Sequence, residues 1–347
     1  MNKLNIKSYC EFSPKQWDEV VNLFDGTIYH TSWFFEYMTI YHKNIHIQNY
    51  SFSILNDTEV VALIPLFVEK IDNMWQVSMG EESITSVLYD SNLKQKDILS
   101  IFQLFTRHID EIAKEKLCSL SRFNISPLMT VSRDININFY KLFGYKDQIL
   151  IPSWYVFKCD FAYVIDLSMP LEQLYSNVRR RYKSFINKTL KLANHIILDQ
   201  DNLNKEVFCK YINFYYSIKG NRRTSEAFDK DYEAIKNGLE VIFICEYNDK
   251  YIGAIAIHQY NNMARYNSAL TVTIDNLYPN HSLVWKSIEY LKKNNCKYYE
   301  IGEQVCDNGS YEISKKEKDL SFFKAGWGGD LYPWMKAQKE YSFNDIR

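Results

Sequence analysis

Glycine is scarce in this chain, 11 residues in 347, and proline scarcer at seven. That composition excludes collagen-like and low-complexity architectures. Cysteine occurs seven times, but never as CxxC and never at a regular spacing. An odd, scattered set fits reduced core thiols better than a disulfide framework. Charge of one sign is missing too: 41 Lys and Arg stand against 42 Asp and Glu, a formal net charge of −1. No global field therefore recruits nucleic acid or an anionic membrane, and any polyanion site is local. The longest apolar run, Val60 to Val68, has nine residues and contains Pro65, against the roughly 20 that a membrane-spanning helix needs. The opening MNKLNIKSYCEF lacks the apolar stretch of a signal peptide, so the expected location is the cytoplasm.

Familiar catalytic signatures are absent as well. The sequence has no Walker-type loop, no GxGxxG, no GxSxG elbow, no HExxH and no paired-cysteine metal spacing. Its seven histidines are dispersed, and no metal is expected. Direct attack of an amine on an activated acyl group needs neither a metal nor a covalent nucleophile. It needs orientation, a proton acceptor and donors to the developing oxyanion.

What is present is a length for about two domains, and 46% hydrophobic residues to fill their cores. YSFSILNDTEVVALIPLFV, from Tyr50, and VIFICEYNDKYIGAIAIHQ, from Val241, each read as a hairpin around an Asn-Asp turn. Aligning the turns superimposes Val60 on Ile252 and Ala62 on Ala254. Each hairpin is followed by an amphipathic helix that runs into a cysteine-led strand, a domain-sized period that points to duplication. The expected domains are 1–155 and 156–347, both α/β with mixed sheets.

In the second half, Met263–Leu270 reads as a strand, His281–Asn295 as a helix capped by Asn280, and CKYYEIG as a further strand. Such a unit is a right-handed crossover between parallel strands, with a helix N-terminus that can bind anionic groups. Leu171 to Ala193 reads as one strongly patterned helix. Its polar faces carry Arg179, Arg180, Arg181, Lys183, Lys188 and Lys191, with no acid between Glu172 and Asp199. This is either a solvated face or a phosphate site. Finally, SFFKAGWGGDLYPW gathers Gly326, Gly328 and Gly329 beside Lys324 and five aromatics. Clustered glycine implies left-handed backbone or close approach to another group.

Five segments, IYHTSWFFEYM, VALIPLF, VRRRYKSFINKTLK, YPNHSLVWKSIEYLKKNNCKYYEIG and SFFKAGWGG, together resemble, in that order, the Fem-type branch of the GNAT acyltransferase superfamily. The resemblance spans nearly the whole chain. It implies tandem GNAT-like domains with a cleft in or beside the second. It further implies transfer of an amino acid from aminoacyl-tRNA to a cell-wall precursor, or of an acyl group from a thioester to an amine. The FKxGxGG-like turn would lie at that cleft, with Lys324 near the reacting carbonyl or an acidic substrate group. Two departures stand out: Trp327 where relatives have phenylalanine, and Tyr278, Pro279, Asn280, His281 and Ser282 where acetyl-CoA-binding members have a glycine-rich pyrophosphate loop.

The candidate catalytic residues are Lys324, Glu300 and Glu303. Glu300 and Tyr298 share one strand face and Tyr299 the other, and Glu303 falls just past the strand. A partly desolvated carboxylate there could accept the amine's proton, or could be paired structurally with an arginine such as Arg265. His258 and His281 are alternative bases. Asn280, His281, Ser282 and Leu283 are the cofactor-binding candidates; Arg180, Arg181, Lys183, Phe323 and Trp327 are the substrate-binding ones. The expected activity is N-acyl transfer from acyl-CoA, in first place acetyl-CoA, to an amino group of a phosphate-bearing acceptor such as a nucleotide-linked amino sugar or surface-glycan precursor. The runner-up is an aminoacyl-tRNA-dependent transferase of cell-wall precursors, and a third reading is a non-catalytic binding module.

Overall fold

The computed structural model describes residues 3–41, 45–79, 84–85, 87–128, 155–305 and 313–342. Contacts divide the chain into one unit of Met1–Cys159 with Pro333–Arg347 and a second of Asp160–Tyr332. The sequence division at 155/156 placed the whole C-terminal segment in the second domain; by contacts that segment returns to the first.

The first unit runs β1 (Leu4–Ser8), α1 (Pro14–Leu23), α2 (Ser32–Tyr41), β2 (His46–Asn49), β3 (Phe52–Asn56), β4 (Glu59–Ile64), β5 (Phe67–Ile71), β6 (Met74–Val77), β7 (Ile84–Thr85), β8 (Leu88–Tyr89), α3 (Gln95–Glu115) and β9 (Cys118–Ile125). A capping box between Ser13 and Gln16, with Pro14 at the first helical position, starts α1. One sheet has the order β1-β3-β4-β8. In the other, β2, β5 and β6 are antiparallel, β6 pairs parallel with β9, and Met335–Glu340 pairs antiparallel with β9. Helix α3 buries Ile98, Ile101, Phe102, Phe105, Ile109 and Ile112 at core spacing.

The chain continues with β10 (Tyr155–Asp166), α4 (Leu171–Asn177), α5 (Arg180–Leu192), β11 (Asn194–Leu198), α6 (Lys205–Lys219), α7 (Ser225–Lys236), β12 (Glu240–Tyr247), β13 (Lys250–Tyr260), β14 (Met263–Thr271), α8 (Pro279–Lys293), β15 (Tyr298–Gln304), α9 (Lys315–Ala325) and β16 (Asp330–Glu340), of which the second unit takes Asp160–Tyr332. Its sheet has the order β11-β12-β13-β14-β15-β10, and only β14 and β15 are parallel within it. Alternation along β12 and β13 sorts the side chains to two cores. Val241, Phe243, Ile255 and Ile257 pack with residues of α5 and α8, whereas Ile242, Ile244, Ala254 and Ala256 pack with residues of α6 and α7. The unit is therefore helix, sheet and helix in three layers.

Both expected hairpins form, with a one-residue offset from the sequence alignment. The two-residue loops are Asp57-Thr58 and Asn248-Asp249. Glu59 thus corresponds to Lys250, and Val61 rather than Val60 corresponds to Ile252. Asp57, Asn248 and Asp249 all have positive φ, which short polar side chains tolerate. The crossover helix starts earlier than expected: Tyr278 is the cap and Pro279 the first helical residue, so Asn280 lies inside the first turn.

The single helix expected over Leu171–Ala193 is two helices. Val178 and Arg179 are extended, at ψ 135° and 133°. Into that break fits the glycine turn, whose Gly326 carbonyl accepts the Arg179 amide at 2.9 Å. A Cβ on Gly326 would lie 2.1 Å from the Tyr182 ring, and one on Gly328, at φ +77°, 2.6 Å from Asn177 Cβ. On Gly329 it would come within 2.9 Å of the Val164 backbone. Protein, not open space, is what this turn is shaped around.

Gly326→Ala should therefore destabilise the fold by roughly 1–3 kcal/mol, the scale of overpacking. Tyr182→Leu in the same chain should recover part of that loss. A denaturant double-mutant cycle with no coupling between the two substitutions would contradict this packing.

Candidate functional site

Strands β14 and β15 pair only from Met263–Arg265 to Tyr298–Glu300, although they continue to Thr271 and Gln304. Each stays bonded on its outer side, β14 to β13 and β15 to β10. The two inner edges therefore part beyond Arg265 and Glu300, at the carboxyl ends of parallel strands joined by α8. A crevice at the carboxyl ends of parallel strands is where open α/β sheets take ligands.

At the crotch of this fork Arg265 Nε lies 3.1 Å from Glu300 Oε1. The structural pairing weighed in the sequence is thus present. Burial pushes the Glu300 carboxyl up, and Arg265 and Lys324 pull it back. The carboxylate is 1% exposed and the arginine side chain 26%, so the arginine is the accessible member. The contact is an ion pair, since neither Glu300 oxygen has a hydrogen-bond partner among the described residues.

Lys324 reaches the fork from α9. Its Nζ donates to the Glu303 carbonyl at 3.1 Å and lies over Gly302, where a Cβ would meet Nζ and Cε at 3.0 Å. Gly302 also has φ +117°, a region that disfavours side chains. Burial lowers the Lys324 pKa, opposed by Glu303. Glu303 is half-buried and, contrary to the expected boundary, lies within β15. Lys324, Glu300, Glu303 and Arg265 therefore form one cluster.

The other candidates lie elsewhere. Ser282 and Leu283 are wholly buried; Ser282 Oγ bonds the Pro279 carbonyl and His195. A Cβ on Gly253 would come 2.6 Å from Pro279 Cβ, so the first turn of α8 sits flush on β13. Its amide donors are few, because Pro279 has none and His281 gives its own to Tyr278. Asn280 Oδ1 is shielded and has no hydrogen-bond partner among the described residues. Trp327 is 1% exposed and packs with Tyr182, His281 and Phe323, which places it in the core rather than on a substrate wall. Phe323 is half-buried at the edge of that cluster. On α5, Arg180 and Arg181 are exposed, whereas Lys183 Nζ is tied to the Ser176 carbonyl at 2.9 Å.

Of the alternative bases, His258 is 3% exposed. Burial, with Arg265 and Arg223, lowers its pKa to about 3, and its Nε2 faces Asn267 Nδ2 at 3.2 Å. It is neutral and spoken for. Arg179, read in the sequence as one of the cations of a solvated face or phosphate site, bonds Tyr182 Oη and the Phe322 carbonyl and so ties α5 to the end of α9. Sequence reading missed Gly302, although the motif YYEIG contained it.

No family model matches this chain, and no curated protein does. Solved structures do match. FemX superimposes with a TM-score of 0.64 at 14% identity, over 93% of this chain and 96% of that one. The C-terminal domain of a putative lysylphosphatidylglycerol synthetase from Agrobacterium fabrum gives 0.59 at 10%, over 96% and 94%. L-PGS from Bacillus licheniformis gives 0.57 at 9%, over 96% and 93%. The chain therefore has a Fem-like, GNAT-type fold.

His281 supplies a check on the electrostatics. Its ring sits among Tyr182, Phe185 and Phe323 at 4.4, 5.0 and 5.3 Å. Burial lowers its pKa from 6.5 to about 4, with Arg181 acting in the same sense and the Tyr278 carbonyl against it. The unfolded chain binds this proton at higher pH than the folded one, so the contribution is lost as pH falls from about 6.5 to about 4. By NMR the His281 ring should titrate near 4, and the stability of the protein relative to His281→Phe should fall as pH drops through that window. A midpoint near 6.5 would contradict the buried placement.

Proposed function

We propose that the second unit transfers an acyl group from an activated donor to an amine bound in the fork. One observation carries this reading: the parallel strands part at Arg265 and Glu300, and Lys324 is held over Gly302 beside the gap. The amine nitrogen attacks the acyl carbon, forming C–N while the carbonyl electrons move to oxygen. Lys324 stabilises that oxyanion, an interaction stronger in the transition state than before it. Collapse re-forms the carbonyl and breaks the bond to the leaving group, C–S in a thioester or C–O in an ester. Glu303, the more exposed carboxylate, takes the amine's proton and passes it to the leaving group, while Glu300 holds Arg265.

The acceptor in this reading is an amino compound bearing phosphate, such as a nucleotide-linked amino sugar, with the exposed Arg180 and Arg181 as its outer contacts. Acyl-CoA is the first donor in this reading, with Asn280 and His281 at the start of α8 as its candidate contacts. When bound, it would supply an activated thioester. Aminoacyl-tRNA is a second donor, favoured by one observation: the first turn of α8 packs flush on β13 and has few free amides for a pyrophosphate.

Lys324→Ala should lower kcat by roughly 100-fold or more with KM little changed, the scale of losing one oxyanion donor. Gly302→Ala, which displaces the lysine, should lower kcat in the same way without removing any charge. Wild-type kcat in both well-folded variants would sink the assignment. The donor is read from products by mass spectrometry: turnover with acyl-CoA that survives RNase supports the first donor. Activity confined to charged tRNA and abolished by RNase establishes the second.

A further inference from the structure

The α6/α7 face of the second sheet is apolar along most of its length, through Ile242, Ile244, Ala254, Ala256 and Leu270. One row breaks the rule. Glu240 pairs with His258, His258 with Arg265, and Arg265 with Glu300, so four titratable side chains stand in direct register on one face of four neighbouring strands. Three of them are buried. Burying charge is costly unless it is matched, and charged and polar neighbours flank this row. The buried ion pair of Arg223 with Asp231 abuts Glu240, and Asn267, at the bulge where β14 slips against β13, bonds His258. Burial holds Glu240 well above the ordinary carboxyl range.

The row changes character where the strands part. Its three buried members are uncharged or internally compensated, and the fourth, Arg265, is the one that reaches solvent. Its ion pair with a buried carboxylate keeps the guanidinium at the base of the gap, and a planar guanidinium there has N–H donors suited to recognition of an oxyanion. Lys324 stands close enough for its pKa to be lowered by Arg265, so two cations bracket the start of the gap.

We propose that Arg265 is an anion-binding residue at the base of the fork, taking a carboxylate or phosphate oxygen of the ligand beside Lys324. The buried row serves to hold it there. The inference rests on the fork being the ligand site, but it is tested without turnover, so it can fail while acyl transfer stands, and the reverse.

The experiment titrates the isotopically labelled full chain with inorganic phosphate and, separately, with acetate, and follows backbone amides by NMR. Saturable shifts at Tyr266, Asn267 and Gly302 with either ion support the site, and the ion that produces them distinguishes phosphate from carboxylate. Arg265→Gln should weaken that binding about ten-fold, the scale of losing a charge-assisted hydrogen bond, and Arg265→Lys should restore part of it. Shifts confined to residues 180–183, or equal affinity in wild type and Arg265→Gln, overturn the proposal. Should Arg265→Gln fail to fold, the wild-type shift pattern decides alone.

Discussion

A carboxylate with 1% of its side chain exposed has to be matched by a cation, and in this protein the match of Glu300 with Arg265 falls where two parallel strands cease to pair. Much of the second unit follows from that coincidence. The pair closes the base of the fork, the strands diverge above it, and α8 returns the chain between them. Apolar replacement of both members of a buried ion pair is often neutral or stabilising, whereas removing one member leaves the other uncompensated.

The second constraint is steric. Gly302 lets Lys324 lie against β15, and Gly326, Gly328 and Gly329 let the following turn close on Tyr182, Asn177 and Val164. The lysine thus lies along a strand with no side chain beneath it and donates to the Glu303 carbonyl. Arg179 joins the start of α5 to the Phe322 carbonyl near the end of α9. Preorganisation of this kind is what an oxyanion donor requires, because reorganisation during the reaction would forfeit its advantage.

Much of this was legible in the residues, and the failures have physical causes. The alternation in VIFICEYNDKYIGAIAIHQ and the Asn-Asp turn identified β12 and β13, and the order of motifs pointed to the Fem-like fold. The break at Val178–Arg179 was invisible, because no glycine or proline marks it; it exists to admit a turn some 150 residues away in sequence. Trp327 stood among the substrate-binding candidates, and its burial places it in the core. The row from Glu240 to Glu300 could not be read at all. Its Glu240–His258 register depends on the bulge at Cys245/Glu246, and a one-residue slip would send each side chain to the opposite face.

The central claim is that chemistry occurs between β14 and β15, under Lys324. The most direct measurement is a crystal structure of the full chain with a bisubstrate analogue, an amine acceptor joined through a non-hydrolysable acyl linker to the donor carrier that supports turnover. The account predicts the linker's carbonyl oxygen within hydrogen-bond reach of Lys324 Nζ, and the acceptor between the parted strands. A ligand bound elsewhere, with the fork empty, would contradict it.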